Sequence, residues 1–237
     1  MVALAIAFSL QMTYAQDFQK SYNVSAGGQI VIWNFQGDIK VKGYKGDSIE
    51  VAAEKKGPDR NLIEIIDGSF GERVDLHPRY LQFGHGNAKV DFEVRVPQSI
   101  EYNFSRISSM GGKVEVSDVL GRLWAETMRG NIEIKNVKGL VSASSNSGNI
   151  SVEIDDASGH SHMRFSSISG DIEVRAPSGL DAFVDMSSIS GLLKSDFPIE
   201  IQEMRYGSGR SARGKLGSGK QLLHLRSVRG EVSLLRK

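Results

Sequence analysis

From residue 107 to the end of the chain, short runs of alternating apolar and polar residues are broken by glycine at nearly regular intervals. Two positions after that glycine stand Val114, Ile132, Ile150, Ile172, Leu193 and Val232, and four after it stand Val116, Ile134, Val152, Val174 and Leu234. Glu115, Glu133, Ser151, Glu173, Lys194 and Ser233 separate the two sets. A period of two predicts a strand with one face buried and one face wet. Before the glycine a second strand is predicted, with inward positions seven back (Leu123, Val141, Met163, Val184) and five back (Ile107, Ala125, Ala143, Phe165, Met186, Leu225). Large and small residues share that last column, so a bulky side chain in one copy can fill the space a small one leaves in the next.

The two strands and their glycine form a repeat. Its phrase reads G-G-K-V-E-V at 111–116, R-G-N-I-E-I at 129–134, S-G-N-I-S-V at 147–152, S-G-D-I-E-V at 169–174 and R-G-E-V-S-L at 229–234. Gly112, Gly130 and Gly148 are 18 residues apart, with 22 more to Gly170 and 21 to Gly191. That period predicts an all-β fold, a single-stranded β-helix or β-solenoid of parallel rungs over 101–237. Three residues before the glycine runs a hydroxyl column (Ser109, Thr127, Ser145, Ser167, Ser188, Ser227), placed to satisfy backbone groups at a corner. The glycine itself is expected to supply a backbone conformation closed to other residues. Two before it is an apolar column of Met110, Met128, Ile168, Ile189 and Val228, interrupted by Asn146, and Gly121, Gly139, Gly159 and Gly179 mark the opposite corner.

Residues 16–100 carry less regular strands (29–33, 38–42, 48–53, 62–66 and 89–96) that continue the same core and cap its first edge, making one continuous domain with the rungs. The stretch 67–88, with Gly68, Gly71, Pro78, Gly84 and Gly86, reads as a mobile loop. Residues 2–10 are apolar, and T-Y-A at 13–15 precedes Gln16, the pattern of a secretory signal peptide over 1–15 with cleavage after Ala15. No later run is apolar enough for a membrane-spanning helix. The absence of cysteine removes both disulfides and a lipoprotein anchor. With 29 Lys plus Arg against 28 Asp plus Glu, no overall field recruits nucleic acid.

The S-G-D-I-x-V phrases, S-G-L-L-K-S-D-F-P at 190–198, L-G-S-G at 216–219 and L-R-S-V-R-G-E-V-S-L at 225–234 resemble the bacterial "putative adhesin" family DUF4097. The resemblance covers most of the chain after the signal peptide. It implies a secreted or periplasmic β-solenoid, and it brings no catalytic residues with it.

Candidate chemistry lies on the outward face of the second strands. Arg122, Trp124, His162, Arg164, Asp181, Phe183 and Asp185 make a candidate ligand-binding face, for which envelope polysaccharide or protein is the expected partner. If consecutive rungs are neighbours, Arg164 pairs with Asp185 and His162 stands between Leu140 and Phe183. The outward apolar residues Trp124, Leu140 and Phe183 are expected to lie under a loop or the N-terminal strands. Asp181 and Asp185, four apart on one strand, are ~13 Å apart, beyond the ~5–9.5 Å of paired glycosidase carboxyls. His160 and His162 share a face but lack a third ligand, so no metal and no cofactor is expected. The serines fall in a turn column without an acid-base partner, and the G-x-G pieces at 207–209 and 217–219 read as turns. From Arg205 to Lys237 nine basic residues, Arg213 and Arg226 among them, face only Glu231, a charge asymmetry suited to anionic wall polymer or lipopolysaccharide. The expected function is non-enzymatic, adhesin-like binding at the envelope of a Gram-negative-type bacterium. A carbohydrate-active β-helix enzyme using Arg164, Asp181 and Asp185, and a structural or assembly protein of the envelope, are the alternatives.

Overall fold

The structure, a computed structural model, describes residues 17–81, 86–154, 162–203 and 208–237. The signal-peptide region, Gly84, Gly159, His160, Arg205 and Gly207 lie outside the described residues. Strands dominate and no α-helix occurs among the described residues. In the N-terminal portion the strands are β1 (Phe18–Tyr22), β2 (Gln29–Asn34), β3 (Ile39–Tyr44), β4 (Ile49–Lys56), β5 (Ile63–Asp67), β6 (Arg73–Tyr80) and β7 (Lys89–Pro97). The repeats follow as strand pairs: β8 (Glu101–Ser109) with β9 (Val114–Ser117), β10 (Leu120–Thr127) with β11 (Ile132–Lys135), β12 (Val141–Ser145) with β13 (Ile150–Glu153), and β14 (His162–Ser167) with β15 (Ile172–Ala176). Then come β16 (Ala182–Ser188), β17 (Leu193–Ser195), β18 (Ile201–Glu203), β19 (Arg210–Lys215), β20 (Gln221–Ser227) and β21 (Val232–Arg236).

Each repeat gives one strand to each of two sheets, and the apolar faces of both enclose one core cluster running from Val24 to Leu234. The period-two pattern is the cause, since every second side chain must leave water together. Val114, Ile132, Ile150, Ile172 and Val232 stack in adjacent parallel strands, each about 1% exposed or less. In the other sheet Ile107, Ala125, Ala143, Phe165, Leu225 and Met186 form the mixed-size column, fully buried as the pattern predicts. Each large aliphatic side chain so buried contributes ~1.5–3 kcal/mol against exposure.

Stack order departs from chain order at both ends. The last repeat, β20 and β21, inserts between β14–β15 and β16–β17, so β14 pairs with β20 and never with β16. At the other end β2 and β3 insert between β6–β7 and β8–β9. The expectation that consecutive repeats are always neighbours is corrected here. Each repeat presents the same inward columns, so the stack accepts either order, and the path of the linking chain decides. Beyond these insertions three of the four sheet edges end in antiparallel strands, β4 and β1 on β7, β5 on β6, and β19 and β18 on β16, while the fourth is β17, parallel to β21. Short antiparallel caps blunt the edges that a parallel stack would leave open.

The stretch 67–88 is also corrected. Eight of its residues form β6, whose inward Val74 and Leu76 are fully buried, with Pro78 opposite Ile65 in β5. The alternation V-D-L-H-P was legible, but the flanking glycines and the proline outweighed it.

At the corner between the sheets the backbones of successive rungs approach closely. A Cβ on Gly130 would lie 2.0 Å from the carbonyl oxygen of Gly112; the same holds for Gly148 over Gly130 (2.0 Å), Gly170 over Gly148 (2.1 Å) and Gly230 over Gly170 (2.0 Å). These glycines have no positive φ, so close backbone approach, not special conformation, requires them. At the opposite corner Gly121 and Gly139 do have positive φ, 132° and 131°. Gly179 has neither constraint.

The hydroxyl column serves the glycine corner. Ser109 donates to the Gly37 carbonyl (2.8 Å), Ser145 to Gly130 (3.2 Å), Ser167 to Gly148 (3.2 Å), Ser227 to Gly170 (2.9 Å) and Ser188 to Gly230 (2.8 Å). Thr127 departs from the pattern by donating to Gly130 of its own repeat, at 2.7 Å. One residue after the glycine, Asn131, Asn149 and Asp171 each accept the backbone N–H of the equivalent residue in the next rung. Among the described residues no buried side-chain polar atom lacks a partner.

Gly130→Ala should therefore lower stability by ~1–3 kcal/mol through overpacking against backbone, while Gly179→Ala leaves it unchanged. Thermal melts of the two variants beside the parent protein measure the difference.

Candidate binding face

The outward residues of β10, β12, β14, β20 and β16 form columns that run along the stack. Six positions before the corner glycine the column reads Trp124, Ser142, Arg164, His224, Asp185, continuing to Arg213 on β19. Four before it, the column reads Ser108, Glu126, Ser144, Ser166, Arg226, Ser187, then Ser211. On one side lies the row His162, Leu222, Phe183 and Lys215, with Leu140 beyond His162. On the other side is the corner ridge, where Met110, Met128, Ile168 and Ile189 are exposed. The apolar column read from the sequence is thus a surface feature.

This face is open. Trp124 is 57% exposed, Leu140 41% and Phe183 40%, so among the described residues no loop or N-terminal strand covers them as expected. A register shift beside Trp124 reshapes the ladder: Leu123 pairs with Phe104 but Ala125 with Ile107, leaving Ser105 and Arg106 opposite one residue. Such a bulge bends a strand and re-aims its side chains.

Inserting the last repeat rearranges the predicted charges. His224 stands between Arg164 and Asp185, so the expected pair does not form. Asp185 instead meets Arg213 Nε at 3.2 Å and His224 Nδ1 at 3.8 Å. Arg164 and Arg226 are exposed and have no ion-pair partner among the described residues. His162 has Leu222, not Phe183, as its neighbour in β20. Asp181 is not on the strand face. It accepts bonds from Ser218 Oγ (2.6 Å) and from the backbone N–H groups of Gly219 (2.5 Å) and Lys220 (3.2 Å), fixing the turn that carries positive-φ Gly217 and Gly219. The Ser218 hydrogen bond, with the Lys220 and Gly219 N–H groups, holds its carboxyl below the usual range.

Arg164, Asp185, Arg213, His224 and Arg226 line a groove of about 860 Å³, closed on one side by Glu200 and Gln202. Of the seven residues predicted for this face, the structure brings only Arg164 and Asp185 into that groove. Arg122 and Trp124 lie farther along the stack, and His162 and Phe183 border the groove. His224 was missed, because its column becomes visible only once the last repeat is placed beside β14. Among the described residues no three His, Asp or Glu side chains cluster as metal ligands.

The opposite sheet differs. Lys113 pairs with Glu115 and with Glu133 (2.6 Å), and Lys135 with Glu133 (2.6 Å) and Glu153 (3.8 Å), so the outward glutamates of successive rungs are bridged by lysines. Hydrogen bonds from Lys113 and then Lys135 bring the Glu133 carboxyl from its ordinary 4.5 to about 2.

The sequence of residues 27–235 matches the family described as Toastrack DUF4097. The chain belongs to this family. Its backbone is also similar to three crystal structures. One is a "putative cell adhesion protein" from Clostridium sporogenes (11% identity, 93% of this chain and 99% of that one, TM-score 0.48). Another is a "putative adhesin" from Bacteroides fragilis (14% identity, 92% and 96%, TM-score 0.44). The third is a "putative lipid binding protein" from Parabacteroides distasonis (16% identity, 93% and 96%, TM-score 0.36). No curated protein matches the chain. Among the described residues of this Toastrack chain no helix is long and apolar enough to cross a membrane.

Because the folded pKa of Glu133 lies below its unfolded one, its pairs stabilise the protein above pH ~4.5, and that contribution is lost as pH falls towards 2. Melting temperature should fall between pH 5 and pH 2.5, and Glu133→Gln should reduce the fall while lowering the melting temperature at pH 7.

Proposed function

We propose that this Toastrack chain is an exported, non-enzymatic binding protein of the cell envelope, adhesin-like in role, built as a coil of single-strand rungs. In this reading the open outer face of the β10–β12–β14–β20–β16 sheet meets another macromolecule. One observation carries it: Trp124, Leu140 and Phe183 stay exposed on a stack of paired strands, on the same face as Arg164 and Arg226, which have no ion-pair partner among the described residues. Exposed apolar and aromatic groups on such a scaffold mark an interaction surface. A non-catalytic role is supported by what the acids do, since Asp181 holds a turn and Asp185 is engaged by Arg213. Among the described residues lining the groove, Glu200 is the one carboxylate besides Asp185, which leaves no free pair for glycoside hydrolysis.

Export is supported by the apolar run at 2–10 and the small residues before Gln16. Protein recovered from its native host should have a mature N-terminus near Gln16 by mass spectrometry; intact Met1 in a cytosolic fraction would refute export.

Binding is tested by presenting the purified protein to an array of glycans and to extracted envelope proteins. A specific partner should be retained, and Trp124→Ala should weaken it about tenfold or more, the loss of a central aromatic contact. Turnover of a polysaccharide that Arg164→Ala abolishes would instead establish the enzyme.

A further inference from the structure

The groove at the C-terminal end of the open face has a composition that selects a ligand class. Arg164 and Arg226 sit on neighbouring strands two positions apart in register, both exposed and both without an ion-pair partner among the described residues. Arg213 is balanced by Asp185, and Glu200 on the far wall is the other acid in the lining, so the arginines outnumber the acids. Beside the arginines runs the hydroxyl column of Ser166, Ser187 and Ser211, able both to donate and to accept. Towards the middle of the stack, two rungs from Arg164, stands Trp124 with its ring in solvent.

We propose that this groove binds an anionic polysaccharide, its acid groups held by Arg164 and Arg226, its hydroxyls by the serine column, and a neighbouring sugar ring by Trp124. The inference rests on reading this face as a binding surface and adds the ligand's chemistry. Guanidinium groups match carboxylate, sulfate and phosphate oxygens with paired N–H donors. Cation, hydroxyl and aromatic positions recur at the ~4.8 Å spacing of the rungs, so an extended chain lying along the stack meets them in succession. A lipid surface fits less well. The two columns at the centre of the face are polar, and the apolar ridge of Met110, Met128, Ile168 and Ile189 is separated by them from Leu140 and Phe183.

Titration calorimetry of the purified protein with an alginate oligosaccharide, a heparin-derived oligosaccharide and neutral dextran tests the proposal. At least one acidic oligosaccharide should bind, dextran should not, and binding should weaken as salt rises. The double variant Arg164→Gln/Arg226→Gln should lose about tenfold or more in affinity while keeping the parent's melting temperature. Lys40→Gln/Arg95→Gln, on the opposite sheet, should bind like the parent. Equal binding of dextran, unchanged binding by the arginine variant, or retention only on phosphatidylglycerol vesicles would each overturn the anionic-glycan assignment. If the arginine variant binds normally while Trp124→Ala does not, the open-face function survives and this ligand class falls. If nothing binds in either experiment, both fall.

Discussion

At the corner between the sheets, the carbonyl oxygen of one glycine occupies the place where a Cβ of the next rung would stand, about 2 Å from it. The rungs can approach this closely only if every one of them has glycine at that point. Once they do, the strands on both sides enter parallel ladders in the same register, and the inward columns line up without further instruction. The approach also takes the glycine carbonyl away from water, and the serine three residues earlier in the next rung supplies its partner. Glycine and hydroxyl are thus two halves of one device. The Asn/Asp ladder one residue beyond the glycine adds a second hydrogen bond between rungs at the same corner.

A rigid corner has consequences for the surface. Because side chains before the glycine alternate strictly, those not in the core stand in straight outward columns at a fixed spacing. On one sheet the columns are charged in alternation and neutralise themselves through Lys113, Glu133 and Lys135. On the other, serines, arginines and exposed apolar residues lie side by side without cancelling. The two faces share one backbone geometry and differ only in the residues at the outward positions, so the chemistry of recognition is separable from the chemistry of folding.

The ends of the stack show how much depends on the path of the chain. Inserting the last repeat beside β14 puts His224 between Arg164 and Asp185, frees Arg164 and brings Arg226 into the same groove. Had β16 packed directly on β14, Arg164 would face Asp185. A single change of order therefore decides whether Arg164 is tied to Asp185 or stands without an ion-pair partner among the described residues. The antiparallel caps, β19 and β18 at this end and β4 and β1 at the other, complete the same arrangement by ending the ladders in short strands.

Local pattern in the sequence was enough to settle the strand class, the inward residues, the hydroxyl corner and the pairing of Ile132 with Ile150 and of Ile150 with Ile172. Each of these follows from period-two alternation and from contacts between equivalent positions. It could also place Trp124 two rungs from Arg164, since those repeats are consecutive both in chain and in stack. The partners of Asp185, the turn role of Asp181 and the exposure of Leu140 and Phe183 were decided only by tertiary structure. The physical reason is that repeats with the same inward columns are interchangeable as packing partners. Nothing in the alternation of one repeat specifies which other repeat lies above it, and the groove exists only where that choice was made.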